Sequence, residues 1–230
     1  MTLFLCLDWI KNLGKTLEWT VFKNGTKTVK TKNNLIIACG ALSYELNLLK
    51  KLNKWEHLTI QCLDAKLHNT PKLIPGKVKE KLDAINDDYD GVFIAYADCG
   101  TGGLLDALLE PYNVERLPGA HCYEFFSGQE IFEELCTNEM GTFYLTDFLV
   151  KHFNRLVIKG LGLDKHPELQ KEYFRNYKKV VYLAQSRSET LIEESKQCAE
   201  FLGLEHSTHY TGLGNFKKHI EESVGGNIDG

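Results

Sequence analysis

A chain of 230 residues, 43% apolar and 25% charged, is long enough to bury its own core, as one α/β domain or as two small lobes. Its net charge of −4 offers no general attraction to nucleic acid or to an anionic membrane surface. Seven cysteines are an odd number, in a chain too large to need stapling, which argues against a secreted disulfide module.

The first apolar run, Leu3-Phe4-Leu5-Cys6-Leu7, is interrupted by Asp8 and has no basic segment before it, so it does not read as a signal peptide. No stretch approaches the roughly 20 apolar residues of a membrane helix, and a cytoplasmic location is the expectation. Residues 1–33 carry a turn signal at Asn24-Gly25 and a basic run at Lys27, Lys30 and Lys32. That run lacks the interleaved aromatics of a nucleic-acid stacking surface. We read the segment as an N-terminal extension, with the α/β domain spanning 34–230.

Strand and helix signals then alternate. Leu35-Ile36-Ile37-Ala38 is a buried-strand run, followed by Leu42, Leu46 and Leu49 at helical spacing. Leu58–Leu63 reads as the next strand, and Pro75 opens a helix through Val78, Leu82 and Ile85. Val92–Tyr96 is a third strand, Leu104–Leu109 a third helix and Val114–Leu117 a short fourth strand. Ser127 and Glu130 fit a capping box before a helix carrying Ile131, Phe132 and Leu135. Thr146 caps a helix through Phe153, and Pro167 opens another toward Tyr177. Val180–Ala184 is a strand, and Ser186 with Glu189 suggests a capped helix ending at Gly203. The rhythm predicts βαβ units and a mostly parallel, Rossmann-like sheet. The Gly-rich tail from Gly212 is weakly informative.

Four cysteines, Cys6, Cys62, Cys136 and Cys198, lie inside apolar segments and read as small buried side chains. The other three each fall where an apolar strand gives way to a glycine-bearing turn. Cys39 precedes Gly40, Cys99 precedes Gly100-Thr101-Gly102-Gly103, and Cys122 follows Pro118-Gly119-Ala120-His121. His68 follows the second strand in the same way. Ligands of open parallel sheets bind outside the carboxyl ends of the strands. Cys39, His68, Cys99, His121 and Cys122 are therefore the candidate metal ligands, with zinc the first choice and an iron–sulfur cluster the alternative. Consecutive side chains on extended backbone point to opposite sides, so His121 and Cys122 need not both ligate.

The turn Gly100-Thr101-Gly102-Gly103 is also a candidate for holding an anion on its backbone amides, although its spacing matches no nucleotide fingerprint. Glu124 and Asp98 are the candidate general acid–base groups. Asp147 reads more simply as a first-turn helix residue.

These stretches resemble a family catalogued as domain of unknown function 1638. The likeness is carried by Ile37-Ala38-Cys39-Gly40, Leu67-His68-Asn69, the run Tyr96-Ala97-Asp98-Cys99-Gly100-Thr101-Gly102-Gly103, and Pro118-Gly119-Ala120-His121-Cys122-Tyr123-Glu124. Leu145-Thr146-Asp147-Phe148 and Gly160-Leu161-Gly162-Leu163-Asp164 continue it, over about residues 35 to 205. The resemblance supplies no activity. It implies a setting in corrinoid-linked methyl or one-carbon transfer, with a small-molecule substrate and a corrinoid protein or methyltransferase as partner.

Three functions follow as expectations. One is a zinc-dependent enzyme of that metabolism, its metal activating a thiol or water. Another is a metal-free acid–base enzyme of the racemase or lyase kind, using two thiols such as Cys39 and Cys99. The last is a carrier of a metal, an iron–sulfur cluster or a corrinoid, with no chemistry of its own. Oligomeric state is open, a homodimer being the ordinary case.

Overall fold

The computed structural model describes residues 33–85 and 89–224; residues 1–32, with Cys6 and the basic run, lie outside them. The fold is α/β, with two parallel sheets rather than one. The first contains β1 (Asn34–Cys39), β2 (Leu58–Leu63), β3 (Gly91–Ala95) and β4 (Glu115–Arg116), in the order β2-β1-β3-β4. The second contains β5 (Thr142–Thr146), β6 (Lys179–Ala184) and β7 (Glu205–Tyr210), side by side in that order.

Parallel pairing requires a crossover between strands. In the first half α1 (Ser43–Leu52), α2 (Ile74–Asp83) and α3 (Leu104–Leu109) supply it. Then α4 (Tyr123–Ser127) and α5 (Gln129–Asn138) lead into the second sheet, where α6 (Asp147–Lys151), α7 (Leu169–Phe174) and α8 (Glu189–Leu202) make the crossovers. The chain returns through α9 (Phe216–Ser223).

Central β1 is buried on both faces, as an unbroken apolar run demands. Leu35, Ile36 and Ile37 share a core with Leu46 and Leu49 of α1 and with Ile74 and Val78 of α2. The second sheet sorts its side chains by the two-residue period of a strand. Phe143, Leu145, Val180 and Tyr182 pack toward α6 and α8, whereas Tyr144, Val181 and Leu183 pack toward Phe132 and Cys136 of α5.

Several expectations need correcting. Ser127 ends α4 instead of capping α5; its hydroxyl donates back to the Tyr123 carbonyl at 3.1 Å. Ser188, not Ser186, caps α8 by accepting the Leu191 amide at 3.3 Å. Cys62 is exposed, because β2 is an edge strand; Cys198 is buried as expected. No helix among the described residues is long and apolar enough to cross a membrane.

The Gly-rich tail hides an ordered element. Phe216, Ile220 and Val224 enter the first core, although the preceding seventy residues belong largely to the second half. Gly214 makes that return. Its φ is +48°, and a Cβ there would meet the Phe126 carbonyl oxygen, fixed backbone that cannot yield. Gly214→Ala is expected to destabilise the protein by about 2 kcal/mol from left-handed strain and collision together, measured as a lower midpoint in urea.

Candidate metal centre

The carboxyl edge of the first sheet is where the cysteines meet. β1 ends in Cys39, and the turn after it is 3-10 helix in which the Cys39 Sγ accepts the Ala41 amide at 3.3 Å. β2 is followed by a 3-10 segment, Ala65–Asn69, that carries His68. β3 runs on through buried Tyr96 to Cys99, and β4 through the 118–121 loop to Cys122.

His68, Cys99 and Cys122 each present a ligand atom within 4.8 Å of the other two. Cys99 and Cys122 are closest, Sγ to Sγ 3.2 Å. Two backbone hydrogen bonds hold their loops together, from the Asp98 amide to the Gly119 carbonyl at 3.1 Å and from the Cys99 amide to the Ala120 carbonyl at 2.8 Å. Cys99 itself sits at φ +49°, a left-handed conformation uncommon for a side chain of this kind. Strain of that sort persists where surrounding structure imposes it and concentrates at functional sites.

Cys39 stands outside the three-residue group but touches it. Its Sγ lies 3.6 Å from His68 Nδ1, which also faces the Ala65 carbonyl at 3.3 Å. The His68 ring stacks on Tyr96, centroids 6.0 Å apart. His121 is buried yet does not join the group; its ring lies 6.4 Å from that of Tyr123. Of the five residues read as ligands, three converge, one abuts them and one lies apart.

Charge is distributed unevenly over the cluster. The Cys99 thiol donates to Cys122, which holds the Cys122 pKa well below the ordinary thiol value against the cost of burial, with His68 assisting. Cys99 is pushed up by the same hydrogen bond and by burial. Burial disfavours the His68 imidazolium, but the Cys39 and Cys122 sulfurs outweigh it and raise its pKa. A thiolate at Cys122, between a thiol and an imidazole, is the form that a metal or an electrophile takes up.

The two proposed acid–base groups serve the loops instead. Asp98 accepts from the Thr101 hydroxyl at 2.7 Å and from the Gly102 and Gly103 amides at 3.0 and 2.8 Å. Although burial opposes it, these bonds lower its pKa. The turn Gly100-Thr101-Gly102-Gly103 thus supplies its own carboxylate where the sequence suggested an external anion. Glu124 packs over Gly119, where any Cβ would lie 2.5 Å from its Oε2. Burial raises its pKa, with the Ala120 amide working in the other direction. Neither carboxylate lines the cavity into which the sulfurs face.

That cavity, about 100 Å³, lies between the halves of the molecule. Cys39, His68, Cys99 and Cys122 form one wall; Phe143, Phe148, Val157 and Leu161 stand opposite. The second wall comes from β5, from α6 and from a π-helical turn, Asn154–Ile158, a geometry that recurs at functional sites. Asn69 bridges the halves, its side-chain amide donating to the Leu156 carbonyl at 3.3 Å.

The family described as protein of unknown function (DUF1638) matches residues 62–220, more than half of the sequence. The chain belongs to this family. No curated protein and no solved structure gives a significant match. His68, Cys99 and Cys122 all fall inside the DUF1638 match, and Cys39 precedes it.

Two participants escaped the sequence reading. Tyr96 is fully buried with its hydroxyl beside the sulfurs; burial, then Cys39, pushes its pKa up. Its place at the end of β3, three residues before Cys99, was the available signal. Glu45, in the first turn of α1, is 2% exposed and feels the charge of Asp147. Asp147 ties β5 to β6 by accepting from the Tyr182 hydroxyl, the Gln185 amide and the Ser186 hydroxyl.

Proposed function

We propose that this protein is a zinc-dependent enzyme whose metal is held by His68, Cys99 and Cys122, with the remaining position open to the cavity. The observation that carries the reading is the convergence of those three ligand atoms within 4.8 Å, delivered by three separate loops. Two thiolates and an imidazole are a ligand set that zinc accepts in catalytic sites, which keep one position for water or substrate. An iron–sulfur cluster asks for four thiolates in its ordinary form. The metal-free alternative uses two opposed thiols such as Cys39 and Cys99; the zinc reading is preferred because Cys99 pairs sulfur to sulfur with Cys122 at 3.2 Å and both lie within reach of His68.

The donors lie close enough to take an ion with small adjustments, and the low pKa of Cys122 makes one ligand available as thiolate. When bound, the ion would act as a Lewis acid that lowers the pKa of a coordinated water or thiol. Cys39 orients the imidazole through Nδ1, the role that partners of metal-bound histidines commonly play. The left-handed Cys99 and the ties to Gly119 and Ala120 keep both sulfurs in place as ligands exchange. The wider assignment is methyl or one-carbon transfer beside a corrinoid protein or methyltransferase. A soft sulfur nucleophile in the open position suits that chemistry, and a cytoplasmic setting suits reduced thiols.

Elemental analysis of protein purified anaerobically without a histidine tag tests the reading. About one zinc per chain is expected. Metal-free protein that fails to take up added zinc overturns the assignment. Cys39→Ser is expected to keep stoichiometric zinc but to weaken its affinity by about 10- to 100-fold, measured by competition with a chromogenic chelator.

A further inference from the structure

The cavity wall contains a chemical restriction that the metal ligands alone do not. Among the described residues that line it, there is no lysine, arginine, aspartate or glutamate. Ala41, Leu42, Phe126, Phe143, Leu149 and Val157 set its character. Of its polar side chains, Asn69 donates to Leu156, the Thr146 hydroxyl accepts the Leu149 amide at 3.3 Å, and the Tyr123 ring lies against that of Tyr144. Two thiolates would also balance a divalent ion, leaving the centre neutral.

We infer that the molecule taken into this cavity is a small, uncharged alkyl thiol that places its sulfur in the open metal position. The inference rests on the zinc reading above and specifies what that site accepts. A carboxylate, sulfonate or ammonium group on the incoming molecule would lose its water and find no partner of opposite charge, a large desolvation penalty. An alkyl group meets aliphatic and aromatic carbon on the far wall. Size agrees: cavities of roughly 150 Å³ accept benzene, and about 100 Å³ suits a thiol with a short chain. On binding, the thiol proton would leave to solvent and the sulfur would take the place of a coordinated water as a thiolate, its charge held directly on the ion, so that only the uncharged alkyl part lies against the cavity wall.

The test uses full-length protein loaded with cobalt(II), whose visible and near-ultraviolet absorption reports each sulfur bound to it. Ethanethiol, mercaptoacetate and 2-aminoethanethiol are titrated separately. Ethanethiol is expected to add sulfur-to-cobalt absorption and to bind at least about tenfold more tightly than either charged thiol. Equal or tighter binding of a charged thiol overturns the inference, as does a spectrum that no thiol changes. Failure of cobalt to bind at one ion per chain sinks the metal reading itself, before any thiol is added. Leu149→Arg, at a half-buried wall position, provides a second arm. It is expected to raise the affinity of mercaptoacetate relative to ethanethiol, and an unchanged ratio counts against the inference.

Discussion

Cys122→Ser is expected to yield a folded protein holding less than about 0.1 zinc per chain. Cys122 is the sulfur most fully prepared for a metal. It accepts from Cys99 at 3.2 Å and interacts with His68, and both interactions favour its thiolate. A serine hydroxyl of similar shape stays protonated near neutral pH and is a poor ligand for zinc. With only His68 and Cys99 left, two of the three protein donors remain, too few to hold a tetrahedral ion tightly. The side chain is partly buried at a cavity wall, so loss of its packing costs on the order of 1 kcal/mol. Metal content and thermal midpoint, measured on one preparation, separate the effects. Full zinc retention would show that Cys122 is not a ligand.

Glu45→Gln is expected to stabilise the protein above pH 7. Burial lifts the Glu45 pKa from an ordinary 4.5 to about 7, Asp147 adding to the rise while the Glu45 backbone amide and Lys151 oppose it. The sign follows from proton counting. Between those two values the folded state holds a proton that the unfolded chain has released, so stability falls as pH rises. At about 1.4 kcal/mol per pH unit, the loss is on the order of 3 kcal/mol and is complete above pH 7. Glutamine has no charge to desolvate. The stability difference between wild type and variant, from urea titrations at several pH values, should therefore open across this window and level off. A variant less stable than wild type at pH 8 would mean that the ionised carboxylate has a compensating partner.

How much of this could be read from the residues alone depends on how local the cause is. β1, β2, β3 and β6 are apolar because they are covered on both faces or lie next to strands that are, and such runs stand out. β7 is Glu-His-Ser-Thr-His-Tyr on a sheet edge, largely exposed, and carries no apolar signal. β5 was hidden by a threonine at either end. The spacing of Phe216, Ile220 and Val224 was a helical stripe in plain view, obscured by glycines on both sides. Strand-end cysteines before glycines pointed to the right edge of the sheet. Separating Cys39 from Cys99 and Cys122 was beyond sequence reading, because the difference lies in how far each turn carries its sulfur. The second wall of the cavity, supplied from residues 143–161, is likewise a product of tertiary packing.

The return of α9 to the first core has a consequence for biosynthesis. The second sheet is contiguous, from Thr142 to Tyr210, and can condense as it leaves the ribosome. The first sheet is made earlier, yet a flank of its core stays bare until Phe216 and Ile220 have been translated. The nascent polypeptide therefore carries the first half, thiols included, with one flank uncovered until α9 has been made, whereas every strand of the second half precedes that helix.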